Sequence, residues 1–143
     1  MVSMARSNVS MSKAFRDEIA NADERVGQTL VSETDLVRVW HINLAPGERL
    51  GFHRHQLDYC WIALTPGRSR SMYADGNTVV TDYEPGDCKV FAFAAGETMV
   101  HDLTNIGSRH LAFTTIEFKG SLKREHDRVE PPKNALRDLN GSI

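Results

Sequence analysis

Six turns set the frame of this 143-residue chain: Pro46-Gly47, Pro66-Gly67, Asp75-Gly76, Pro85-Gly86, Ala95-Gly96 and Ile106-Gly107. Their glycines are spaced by 20, 9, 10, 10 and 11 residues. A turn every 8–12 residues, with β-branched and aromatic residues between, predicts an all-β sandwich or barrel. The longer first gap holds two segments, Arg49 to His55 and Asp58 to Leu64, joined by a bend near Gln56. Thr78 to Thr81, Lys89 to Phe93 and Leu111 to Phe118 have good strand chemistry, and Leu36 to Leu44 alternates loosely. Tyr59 to Leu64 is almost continuously apolar and reads as a strand buried on both faces. The count comes to eight or nine strands. No helix is long enough to organise a core.

Flanking segments differ from this body. Residues 1–25 form a polar N-terminal extension with one short helical segment. There Ser12 is a plausible N-cap, and Phe15, Ile19 and Ala22 fall on one helix face. Residues 26–120 form the barrel. Residues 121–143 are a charged tail with Pro131 and Pro132 and one short helical turn at Asn134 to Leu139.

Charge and composition narrow the function. A net charge of -2 argues against nucleic acid, which calls for a dense basic patch. No apolar run approaches the ~18–20 residues of a membrane span, and the N-terminus lacks the apolar region of a secretory signal. Two cysteines, Cys60 and Cys88, make no disulfide framework and fit a reducing, cytoplasmic setting.

Six histidines carry the chemistry. His53 and His55 are two apart on an expected strand, so both point to one face. Imidazoles placed this way can converge on one ion at about 2.0–2.1 Å. A third ligand has to come from another strand, and His101 lies on one, within Glu97 to Asn105. A His-x-His pair alone is weak evidence, because most such pairs are surface or hydrogen-bonded residues.

The glycines around these histidines strengthen the reading. Gly47-x5-His53-x-His55-x4-Cys60-x6-Gly67 and Gly86…His101-x3-Asn105 resemble the two signature motifs of the cupin superfamily. The first agrees at every glycine and both histidines. The second departs at Ala92, where proline is expected, and is four residues longer before its histidine. The resemblance implies an antiparallel jelly-roll barrel (a double-stranded β-helix) with one divalent metal ion on His53, His55 and His101. His53-Arg-His-Gln-Leu-Asp-Tyr59 is also similar to a run in small single-domain cupins labelled as β-alanine degradation proteins. That label says little about the reaction.

The family's fourth ligand is a glutamate, and none stands here. Cys60 takes its place in the x4 spacing and Tyr59 in the x3 spacing, while Asp58 is the nearest carboxylate. All three are candidate pocket or ligand residues. Packing is the competing role for Cys60, since free cysteine behaves as a small buried hydrophobe. Three histidines without a carboxylate resemble the ligand set of the thiol dioxygenases. Some of those carry a cysteine cross-linked to a tyrosine, but Phe118 lies near the expected tyrosine position, so no cross-link is expected. This likeness favours iron, with Zn, Ni, Mn and Cu as alternatives, because the ligand type is permissive.

Glu117 and Tyr73 are candidate proton carriers. For Glu117, a solvent-facing position is the equal alternative. Arg68 and Arg70 can bind a carboxylate or can simply face solvent. His41 reads as a core or interface residue. The expected activity is that of a cupin-type metal-dependent dioxygenase, with oxygen-dependent oxidation or cleavage of a small molecule. The alternatives are a metal-dependent isomerase or lyase and a non-catalytic small-molecule-binding cupin. A homodimer is expected, with Val26 to Glu33 pairing across a two-fold axis.

Overall fold

The computed structural model describes residues 3–8 and 11–120. The expected tail at 121–143, with its helical turn, lies outside the described residues. Ten strands and one helix follow in order: β1 (Ser3–Asn8), α1 (Lys13–Ala20), β2 (Thr29–Glu33), β3 (Val37–Leu44), β4 (Arg49–His55), β5 (Asp58–Ala63), β6 (Gly67–Met72), β7 (Asn77–Tyr83), β8 (Cys88–Phe91), β9 (Met99–Asn105) and β10 (Leu111–Phe118).

They form two five-stranded sheets with every pairing antiparallel. One has the order β1-β7-β6-β9-β4 and the other β2-β3-β10-β5-β8. The sheets face each other and do not close into a continuous barrel. This is the jelly-roll solution to covering two apolar faces.

The turn glycines act as expected. Gly47, Gly76, Gly86 and Gly96 all have positive φ, which a residue with a Cβ adopts only with strain. Gly67 serves differently: a Cβ there would come within 2.8 Å of Leu111 Cδ1, so its lack of a side chain lets the two sheets approach.

β10 shows the strongest alternation. Leu111, Phe113, Thr115 and Glu117 are buried, and the residues between them are only partly so. Facing them across β3 are Leu44, Ile42 and Trp40. At one end of the sandwich Leu44, Leu111, Phe113, Leu103 and Ala63 form a tight apolar core.

One feature differs from the sequence reading. β1 falls in a segment read as polar extension. It joins the first sheet through pairing with β7, from Ser3 opposite Asp82 to Asn8 opposite Asn77. A strand held at a sheet edge by main-chain pairing need not show apolar alternation, which is why the pattern gave no sign of it. β2 pairs with β3 of its own chain, and no strand among the described residues pairs with its other edge. The helix agrees with expectation: Ser12 caps it, its hydroxyl accepting the Phe15 N–H at 3.2 Å.

Candidate metal centre

A β-bulge aims the histidines. Leu50 pairs with Leu103 and His53 with His101, so Gly51 and Phe52 together oppose the single residue Asp102. The extra residue shifts the side-chain alternation of β4 by one position. Leu50 can therefore pack on the core while His53 and His55, an odd number of residues on, also point inward. Gly51 and Phe52 face out, where Phe15 of α1 packs edge-on against the Phe52 ring at 5.5 Å. Gly51 in a strand was the available sign of this bulge.

The three imidazoles of His53, His55 and His101 form a nearly equilateral cluster. Ring centroids are 5.0 Å apart for His53–His55, 4.7 Å for His53–His101 and 5.0 Å for His55–His101. One ring nitrogen from each lies within 4.8 Å of the others, and among the described residues no Asp, Glu or Cys joins the group. His53 donates Nδ1–H to the Gly51 carbonyl at 2.8 Å, which leaves Nε2 as its lone-pair nitrogen. The Nε2 atoms of His55 and His101 are 3.1 Å apart. Two ligands each about 2.0–2.1 Å from one ion are separated by at most about 4.2 Å, so this spacing suits a shared cation.

Electrostatics point the same way. Burial holds all three imidazoles below their ordinary pKa, His55 and His101 far below, and for those two the neighbouring rings add to the effect. The rings are therefore neutral, the state that a metal ligand needs. His55 Nδ1 and His101 Nδ1 are buried and without a partner among the described residues. A cluster of buried imidazole nitrogens with so few hydrogen bonds costs stability unless something else satisfies it. A divalent cation fits this donor set.

The cluster sits at one side of a cavity of about 70 Å³ between the sheets. Val79 and Leu103 come from the first sheet and Trp61, Phe91 and Phe113 from the second. Tyr73 also lines the cavity, pairs through its main chain with His101, and holds its ring 5.2 Å from the His101 ring.

Solved structures share this architecture. A cupin domain from Bordetella pertussis Tohama I matches with a TM-score of 0.57 and 25% identity, over 64% of this chain and 91% of that one. The chain has the cupin fold. A double-stranded β-helix protein from Klebsiella pneumoniae MGH 78578 matches in fold, with a TM-score of 0.52 and 19% identity, over 78% and 92% of the two chains. No family model and no curated protein matches the chain.

The remaining candidate residues separate by strand parity. On β5, Tyr59 and Trp61 face the cavity. Tyr59 stacks on His55, with ring centroids 3.9 Å apart and planes 15° from parallel. Cys60 and Asp58 lie on the opposite parity. Cys60 is buried, and burial raises its thiol pKa, so it is held as a thiol away from the cavity. Asp58 Oδ1 accepts the Phe93 N–H at 2.7 Å. The position nearest the histidines thus belongs to the x3 spacing, and an aromatic ring fills it.

Glu117 is inward and buried, not solvent-facing, but its carboxylate does not line the cavity. Oε1 accepts the Trp40 indole N–H at 2.7 Å, and burial raises the carboxyl pKa. Arg68 pairs with Asp82 through Nε and Nη2 at the surface, and Arg70 is exposed. His41 is exposed rather than in the core. Asn105 closes the turn to Gly107 and donates to the Leu44 and Arg109 carbonyls.

Proposed function

We propose that this chain is a metal-dependent enzyme that oxidises or cleaves a small molecule with dioxygen. One observation carries the reading: three neutral imidazoles converge in an apolar cavity with no carboxylate among them. The ion bound there would supply Lewis acidity and, as iron, redox chemistry toward dioxygen. His53, His55 and His101 would hold it. Tyr59 fixes the His55 ring by stacking on it, and Tyr73 brings a phenol to the His101 side of the cavity, where it can hold or pass a proton. The apolar walls exclude bulk water from the reacting groups.

An isomerase or lyase needs a base beside the substrate. Glu117 is committed to Trp40, and among the described residues no carboxylate lines the cavity, so proton abstraction would fall to Tyr73. That favours oxidation. A homodimer and a cytoplasmic setting belong to the same proposal. The open edge of β2, where Val31 is 50% exposed, is the surface a second copy would cover. Sedimentation that stays monomeric at every concentration would remove the dimer.

The test is metal content of the untagged protein, followed by electron paramagnetic resonance after nitric oxide addition. One equivalent of iron with a nitrosyl signal supports the proposal. Zinc or nickel without that signal moves the reading to lyase or isomerase chemistry. Protein that holds no metal and takes up none leaves a binding barrel. His53→Ala is expected to lose the ion, and a fully loaded variant would overturn the ligand assignment.

A further inference from the structure

Among the described residues that line the cavity, Lys89 alone carries a permanent charge, and none is Asp or Glu. Alternation along β8 turns Lys89 and Phe91 inward and leaves Cys88 and Val90 exposed. Lys89 lies opposite Trp61 in the β5 register, and Phe91 lies opposite Tyr59. A continuous ladder of rings then leads to the histidines. Lys89 Nζ sits over the Phe91 ring at 4.9 Å, Phe91 stacks on Tyr59 at 4.6 Å, and Tyr59 stacks on His55 at 3.9 Å. Lys89 forms no ion pair with any carboxylate among the described residues, whereas Arg38, Arg49, Arg54, Arg68 and Lys119 all do.

We infer that Lys89 is the specificity-determining residue of this cavity and selects a small carboxylic acid with a short apolar body. Lys89 is partly buried and has no counter-ion among the described residues. An anion that enters restores its charge balance, and charge-assisted hydrogen bonds are the strong ones. Two residues along a strand cover about 7 Å, the step from the Phe91–Tyr59 pair to the Lys89–Trp61 pair. A carboxylate on a short carbon chain suits that distance and the cavity's volume of about 70 Å³, with Trp61 and Phe113 among the residues that line its apolar part. The cation at this end and the histidines at the other leave no place for a basic ligand. The inference rests on reading the cavity as a small-molecule site, and it does not require the metal.

The experiment is titration calorimetry of the full chain with propionate and with its neutral isostere propionamide, before and after chelation. Wild type is expected to bind the acid at least tenfold tighter than the amide, in both metal states. Lys89→Met should lose that preference, and Lys89→Arg should retain most of it. Circular dichroism and the melting temperature of each variant report whether the fold survives. A wild type that binds neither probe, or binds both equally, overturns the inference. So does a folded Lys89→Met that still prefers the acid, which is the result for a lysine that only packs its stem on Phe91. Protein that holds no metal as purified and takes up none, yet keeps the Lys89-dependent preference, would sink the metal reading and leave this one standing.

Discussion

The two ends of this sandwich are built from the same strands and do opposite things. β9 offers Leu103 to the closed end and His101, two residues away, to the open end. β5 offers Ala63 to one and Tyr59 to the other, with Trp61 between. β10 runs from Leu111 and Phe113 to Thr115 and Glu117. Each step of two residues keeps the side chain inward and changes only its chemistry. Core and site are therefore one continuous interior. Its closed end is close-packed aliphatic and aromatic surface. Its open end is neutral imidazole, phenol and hydroxyl around empty volume.

The sharpest way to break this comparison is to alter both ends. Leu111 is fully buried beside Gly67. Leu111→Ala should cost about 2–5 kcal/mol, because the removed methyls leave a cavity that rigid sheets cannot close. That is a large part of the roughly 5–15 kcal/mol typical of a domain, and urea denaturation measures it. His101→Gln nearly keeps volume and should cost less than about 1.5 kcal/mol in the chelated protein. Its metal content should nonetheless fall to background. If His101→Gln unfolded the chelated protein as readily as Leu111→Ala does, the open end would be core rather than site.

Much of this contrast was legible in the sequence, and the reasons are physical. Turn glycines need positive φ, so Gly47, Gly76, Gly86 and Gly96 announce strand ends whatever surrounds them. The pairing of His53 with His55 follows from period two. What periodicity cannot see is a change of phase. The bulge at Gly51 and Phe52 decides that Leu50 and His53 share a face, and only the structure shows it. The same blindness left Cys60, Tyr59 and Asp58 equivalent, because an apolar run looks alike from both sides. β1 was invisible for the reason already given: an edge strand held by main-chain pairing carries no alternation. Lys89 was missed because a lysine on a strand usually faces solvent, and nothing local marks this one as inward.

A smaller effect sharpens the comparison along β5. Cys60 is inside the protein yet on the face turned from the cavity, opposite Ile116 and Val90 in register. Cys60→Ala should cost about 1 kcal/mol of packing and leave metal content unchanged, since the thiol does not reach the imidazoles. Elemental analysis of the purified variant checks it. Loss of metal with the fold intact would mean that β5 presents its other face to the site.

The smallest effect concerns the outer side of β4, where the helix backs the histidine strand. Glu18 accepts from Arg49 Nη1 at 3.0 Å, from Nη2 at 2.6 Å and from the Phe52 N–H at 2.8 Å, while Arg49 Nε donates to Asp102 at 2.8 Å. Bonding to Arg49 holds the Glu18 carboxyl below its ordinary value of 4.5. A carboxylate whose folded pKa is depressed contributes stability above its unfolded pKa and loses it as pH falls through the folded value. Glu18 is 38% exposed in its side chain, so solvent screens the pair and its worth is below about 1 kcal/mol. Glu18→Gln should therefore be slightly less stable than wild type at pH 7, and the gap should narrow as pH drops below 4.5. Urea titrations of both proteins across that range test this. A gap that stayed constant with pH would mean that α1 is held by Phe15 against Phe52 rather than by charge. The packing that fixes the outer face of the bulge would then be apolar, like the closed end of the sandwich, and the division between polar and apolar support would run between the two ends only, not between the two faces of β4.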